Sequence, residues 1–343
     1  MFRLVAALTL LVLVFTAGCS KEPEVNPAHL QMYAPLPDVM ESKANPLTPE
    51  KIDLGRMLYY ETRLSKSQQF SCNSCHMLDK FGVDNEPTSE GHKNQRGDRN
   101  SPTTYNAASH FVQFWDGRAA TVEEQAKGPV LNPVEMAMPD EKYVLRVLNS
   151  IPGYVEAFKK AYPDQKDPVT YDNMANAIGA FERKLVTPAR WDQFLKGDKT
   201  ALTPEEKAGF NKFVDAGCAA CHMGAYAGGT LYQKLGVVKP WPDKTDLGRA
   251  KVTKNQGDEM MFKVPSLRNI EKTGPYFHDG KVATLEEAIK LMAEYELGKQ
   301  LVDADVKSIA AWLRSLTGTI PADYIKPPAL PPSGPKTPKP DLT

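Results

Sequence analysis

Two short stretches carry the chemistry of this chain: Cys72-Asn73-Ser74-Cys75-His76 and Cys218-Ala219-Ala220-Cys221-His222. A Cys-x-x-Cys pair followed at once by histidine is the attachment pattern of c-type haem. The thiols add to the vinyl groups, and the adjacent histidine is held against the iron as an axial ligand. A redox dithiol or a paired-thiol zinc site also uses cysteine pairs, but neither accounts for histidine after both. Two covalently bound c-type haems are therefore expected.

The sixth ligand of each iron separates electron transfer from catalysis. Methionine raises the potential and closes the site, a second histidine lowers it and closes the site, and an openable position admits a small ligand. The other histidines are His29, His92, His110 and His278. His92 sits in the polar, Gly-flanked run Glu90 to Arg99, where it reads either as an exposed loop residue or as a group that folds over the first haem and leaves it. After the second motif come Met223, Met260, Met261 and Met292. Met223 adjoins His222 and cannot reach the opposite face. Met292 reads either as core packing or as a ligand.

Helices must position these groups. Leu47-Thr48-Pro49-Glu50 starts one, with Thr48 as N-cap and Pro49 in the first helical position. Thr203-Pro204-Glu205-Glu206 starts another as a capping box, and Thr284-Leu285-Glu286-Glu287 repeats that box. Val306, Ile309, Ala310 and Leu313 form a helical stripe over 303–316. Residues 143–162, interrupted at Pro152-Gly153, and 173–185 read the same way. No run alternates as a strand would. The Leu-Thr-Pro-Glu start at Leu47 and again at Leu202, each leading to a cysteine motif, suggests an internal repeat. The expected fold is mainly α: two cytochrome c-like haem domains related by duplication, residues 47–200 and 201–318, with long loops. Residues 19–46 read as a tether, and the Pro-rich tail 319–343 as extended polyproline.

Composition narrows the class. The chain has 343 residues, of which 41% are apolar and 24% charged, enough for a sizeable core and about two domains. Lys+Arg (42) cancels Asp+Glu (42), so no strong field points at nucleic acid. A disordered chain and a multi-span membrane protein are excluded. Residues 1–18 show a basic start, an apolar run from Leu4 to Phe15 and small residues, which is an export signal. Cys19 follows Ala17-Gly18, as in a bacterial lipoprotein signal whose cysteine is lipidated; ordinary cleavage nearby would leave a thiol. Either way the mature chain is exported, and in bacteria haem of this kind is attached outside the cytoplasm.

Further motifs carry a resemblance. Leu54-Gly55-Arg56, Arg63-Leu64-Ser65, Ser71 through His76, Phe114-Trp115-Asp116-Gly117-Arg118, Phe262 through Asn269 and Gly274 through Gly280, in this order, resemble the bacterial dihaem cytochrome c peroxidases over about residues 47 to 318. The resemblance implies that the haem on His76 is the low-potential peroxidatic one, with His92 its removable sixth ligand. The haem on His222 is then the high-potential, electron-accepting one, with Met292 its sixth ligand. It places Trp115 between the haems, Gln125, Pro129 and Glu135 in the distal pocket, and a calcium ion at Asn100, Thr273 and Pro275. Glu135 would serve as general acid–base and Gln125 would orient peroxide; by residue type alone they read as a surface glutamate and a solvated helix face, and Trp115 as a core anchor. The implied reaction is reduction of hydrogen peroxide to water in the periplasm, with electrons from a monohaem cytochrome c or a small blue copper protein, by a typically homodimeric enzyme. Two rivals are an electron-transfer cytochrome without peroxidase activity and a dihaem enzyme that oxidises a partner protein. The resemblance puts tyrosine on the second haem of the latter, so Met292 argues against it.

Overall fold

The computed structural model describes residues 23–343, so the export signal and Cys19 lie outside the described residues. Among them, no helix is long and apolar enough to cross a membrane. The architecture is mainly helical, with one two-stranded antiparallel ribbon pairing Tyr232–Lys234 with Met261–Lys263. The ribbon was not anticipated, because three-residue strands leave no alternation to read.

Two large hydrophobic cores organise the chain. The first draws its residues from 54–185 together with Ile325, and the second from 191–316 together with Tyr33. Each is built on a helix pair. In the first, helix Pro49–Tyr59 packs on helix Tyr171–Glu182. A Cβ at Gly55 would overlap the carbonyl oxygen of Ala177, so only glycine lets the two backbones meet. In the second, helix Pro204–Ala216 packs on Asp303–Arg314, and Gly209 meets the Ser308 carbonyl in the same way.

The expected helix starts are present. Thr48 Oγ1 accepts from Lys51 N at 3.2 Å. Thr203 Oγ1 accepts from Glu206 N at 3.3 Å, and the Glu206 carboxylate accepts from Thr203 N at 2.8 Å, which closes the box. At Thr284 only half the box forms: its hydroxyl accepts from Glu287 N at 3.2 Å, while Glu287 stays exposed and returns no bond. Residues 143–162 divide, as Pro152 requires, into helices Glu141–Asn149 and Pro152–Ala161.

The two terminal segments are packed structure. Residues anticipated as a tether bury Tyr33, Leu36 and Met40, and the Tyr33 hydroxyl donates to His222 O at 3.0 Å. The Pro-rich tail runs along the first core. Arg63 donates to Pro331 O at 2.8 Å, Gln68 to Pro338 O at 2.8 Å and Tyr60 to Ile325 O at 2.5 Å. Proline leaves its carbonyls free to accept, and side chains of the first half supply the donors. The tail thus braces the half remote from it in sequence, while the N-terminal segment reaches both halves: Tyr33 enters the second core, and Met40 N donates to Arg183 O at 2.9 Å beside Val122 and Val186.

Candidate haem sites and distal pocket

The first motif forms a single helical turn, Cys72–Cys75, closed by a Ser71/Ser74 capping box, with Ser71 N donating to Ser74 Oγ at 3.0 Å. The Tyr59 hydroxyl pins the His76 carbonyl at 2.8 Å. The second motif follows helix Pro204–Ala216 directly. Gly217, at φ 105°, ends that helix in the left-handed conformation and lets the Cys218–Ala220 turn begin. Here Tyr33 replaces Tyr59 in pinning the histidine carbonyl. His222 Nδ1 lies 3.2 Å from Ala227 O. With the proton on Nδ1, that bond leaves the Nε2 lone pair for a metal. Burial lowers the His222 pKa to about 4 and lowers that of His76, so both rings are neutral and can ligate.

A cavity of about 410 Å³, lined mostly by apolar groups, is bounded by Cys218, Cys221, His222 and Met292. Leu285, Ala288, Ile289, Met292 and Glu296 line it from one face of helix Leu285–Leu297, at helical spacing. Thiols, neutral imidazole, thioether and apolar wall in one cavity fit a covalently attached haem. Zinc fits poorly: among the described residues, no group of three or more His, Cys, Asp or Glu is placed to hold a metal ion. The same cavity reaches the first half through Asn100, Ser101, Pro102 and Thr103, and Trp115 stands on its wall. The indole Nε1–H donates to Asn100 O at 2.9 Å, and the ring meets His278 edge-on at 6.5 Å.

A second, smaller cavity of about 260 Å³ is lined by Phe114, Arg118, Pro129, Asn132 and Glu135, among others. Burial raises the Glu135 pKa; Arg118 and the hydrogen bond from Asn132 Nδ2 to Glu135 Oε1, at 2.7 Å, oppose the rise. The Arg118 guanidinium stacks on the Phe114 ring at 3.5 Å and is paired with Asp116 at 3.0 Å. Arg118 and Asn132 were given no role from sequence; the only signal was Arg118 closing the Phe114–Arg118 motif. Gln125 lies one turn before Pro129 on helix Val122–Leu131 and is half-buried, but it does not line this cavity.

His92 is buried. Its main-chain N–H donates to Glu135 O at 2.9 Å, and the Gly91 Cα packs on Val134 and Glu135 so closely that a Cβ would overlap them. Its ring Nε2 lies 3.2 Å from the main-chain oxygen of Thr343, and its Nδ1 has no partner. Lys93 and Asn94 follow at φ 59° and 58°, an uncommon conformation for residues with side chains. Asn100, Thr273 and Pro275 all line the larger cavity. The Asn100 amide nitrogen donates to Glu86 O at 3.0 Å, which leaves its Oδ1 for a cation, a donor type that calcium accepts.

Similarity to known proteins gives the family. Residues 49–200 match the family model described as di-haem cytochrome c peroxidase. The cytochrome c551 peroxidase of Pseudomonas aeruginosa is 44% identical over 337 residues, 96% of either chain. That of Nitrosomonas europaea is 48% identical over 298 residues, 85% of this chain and 88% of its own. The solved structure of a MauG-like protein associated with microbial copper homeostasis superposes with a TM-score of 0.76 at 26% identity, over 85% of this chain and 97% of its own. The chain belongs to the di-haem cytochrome c peroxidase family and is an oxidoreductase of the peroxidase class.

Proposed function

We propose that the chain reduces hydrogen peroxide to two waters with two protons and with two electrons from a small redox protein, a monohaem cytochrome c or a blue copper protein. Electrons enter at the Cys218–His222 site and pass to the Cys72–His76 site, with Trp115 between them. The bound haems supply an iron that takes the oxidant and a second that stores an electron. The remaining steps belong to side chains. Glu135 accepts a proton from one peroxide oxygen and returns it to the other, which leaves as water. Arg118 and Asn132 hold the carboxyl in place. His92 would be the removable ligand of the haem at Cys72–His76, and Met292 the permanent ligand of the haem at Cys218–His222.

One observation carries this reading: the backbone bond from His92 N to Glu135 O, with Gly91 packed on Val134 and Glu135, makes the loop with the removable ligand and the loop with the acid–base group one unit. Displacement of His92 therefore also repositions Glu135. The motif halves, residues 47–200 and 201–318, divide the labour as peroxidatic and electron-transfer domains. A calcium ion held by Asn100, Thr273 and Pro275 would brace the seam between them. Export to the periplasm, lipidation at Cys19 and homodimerisation complete the reading.

The test is a peroxide titration of the holoprotein, fully oxidised and then half-reduced, followed by visible and EPR spectra. Rapid consumption only after one-electron reduction, with a new high-spin signal, is expected. His92→Gly should consume peroxide without pre-reduction. Turnover in the oxidised wild type would remove the His92 switch, and no turnover in either state would leave an electron carrier.

A further inference from the structure

Two of the polar groups on the wall of the larger cavity lack a full set of partners. Lys263, at the end of strand Met261–Lys263, and His110 both line it. Lys263 is 6% exposed and His110 9%. The Lys263 Nζ makes one hydrogen bond, to Val112 O at 3.2 Å. No carboxylate bears on it: burial alone acts on its pKa, lowering it to about 8. Both ring nitrogens of His110 are buried without a partner. Burial and then the Lys263 charge lower the His110 pKa, so that ring is neutral and offers one N–H. Nearby Gln113 is uncharged and cannot balance the ammonium; its amide nitrogen donates to Ala107 O at 2.8 Å.

An ammonium with two spare donors beside an unbonded imidazole is costly in an apolar cavity unless an anion joins them. The anion must come with whatever fills the cavity. A haem attached at Cys218 and Cys221 brings two propionate carboxylates. One carboxylate balances one ammonium, and the spare Nζ and imidazole N–H groups suit its oxygens.

We infer that Lys263 and His110 form the carboxylate-binding end of the second haem site and take one propionate of the haem held by Cys218, Cys221 and His222. The inference rests on that two-haem reading. It has a consequence for Trp115, because Lys263 N donates to Trp115 O at 2.8 Å. The residue that anchors the propionate is tied through its backbone to the proposed bridge between the haems. Lys263 is thus a positioning residue, and its charge also favours the less positive, reduced iron.

The experiment uses the holoprotein. A pyridine haemochrome assay first counts the haems of the wild type; a count of one would overturn the haem reading and this assignment with it. The midpoint potential of the second haem is then measured for wild type, Lys263→Met and Lys263→Arg. Loss of the cation in Lys263→Met should lower the reduced-to-oxidised ratio at fixed potential about tenfold, a shift of about 59 mV for one electron, and Lys263→Arg should restore it. An unchanged potential in Lys263→Met, or an equal fall in Lys263→Arg, would overturn the inference. If Lys263→Met does not retain both haems, His110→Phe decides. Its propionate bending mode in resonance Raman should move from the wild-type position, and an unmoved band would overturn the assignment.

Discussion

Met292 and His92, the two candidate sixth ligands, come from different kinds of structure. Met292 projects from the middle of a thirteen-residue helix whose apolar face lines the cavity beside His222. Displacing it would cost helix packing. His92 sits on a short turn followed by Lys93 and Asn94 in the left-handed region, a conformation that persists only where its surroundings impose it. The smaller, more polar cavity lies on the His92 side, with Glu135 on its wall, whereas the larger cavity is mostly apolar. A ligand on a helix suits a site that stays closed and passes electrons. A ligand on a strained loop, bonded to the loop of a buried acid, suits a site that opens. Both halves share the helix-pair device, so this difference lies in the elements that carry the two ligands.

The largest expected effect tests the acid on the loop side. Glu135→Gln should slow peroxide turnover by roughly two to four orders of magnitude, measured as kcat by stopped flow. Because burial raises the Glu135 pKa, the proton-accepting form is lost as pH falls through a value above the ordinary carboxyl range. The acidic limb of the wild-type kcat/KM profile should therefore disappear in Glu135→Gln. A change under about threefold would remove Glu135 from the mechanism.

The next effect concerns the cores. Glu182, 4% exposed, lies on the first half's terminal helix, and burial raises its pKa to about 8; Glu123 adds to the rise and Arg183 opposes it. The Tyr59 hydroxyl and the Cys72 sulfur also feel its charge. A carboxyl raised in the folded state favours the fold fully below its ordinary range near pH 4.5, and that contribution is lost as pH rises through about 8. At about 1.4 kcal/mol per unit, the loss is of order a few kcal/mol. In the second half, buried Asp192 is instead satisfied by Arg268 in a paired bond at 2.7 and 2.9 Å. Raising the pH from about 4.5 to about 8 should thus weaken the first half selectively, and Glu182→Gln should flatten the fall of Tm over that window. An equal slope in that variant would refute the account.

Cysteine spacing, helix caps and the Asp303–Arg314 stripe were legible because each is a local rule: a residue type at a fixed offset from another. The terminal segments were not. Proline in 319–343 correctly excludes helix and sheet, but nothing local says that Arg63, Gln68 and Tyr60, more than 250 residues away in sequence, will satisfy its carbonyls. The Lys263–His110 end of the cavity was equally hidden, since a lysine in a three-residue strand reads as a solvent-facing charge until the fold buries it. The smaller cavity, the candidate for a distal pocket, was foreshadowed in part. Pro129 and Glu135 line it, Gln125 does not, and Arg118 and Asn132 needed the fold to bring them to the carboxyl.

The helix pairs give the next smaller effect. Gly55→Ala and Gly209→Ala each force a methyl against a carbonyl of the facing helix, so overpacking of about 1–3 kcal/mol is expected from either, and more if the helices cannot part. Calorimetry should show comparable losses; a benign result at one site only would mean that one pair can slide.

Caps give the smallest effect and the finest comparison. Thr48→Ala removes a single hydroxyl acceptor, worth about 1 kcal/mol. Thr203→Ala removes the same acceptor but also disturbs Glu206, which accepts from Thr203 N and is paired with Arg190. That carboxylate keeps its arginine when the hydroxyl is lost, so the box should buffer the second helix, and Thr203→Ala should cost no more than Thr48→Ala. A clearly larger Tm loss in Thr203→Ala would show that the threonine positions Glu206, and that the second half depends on its helix start more than the first does.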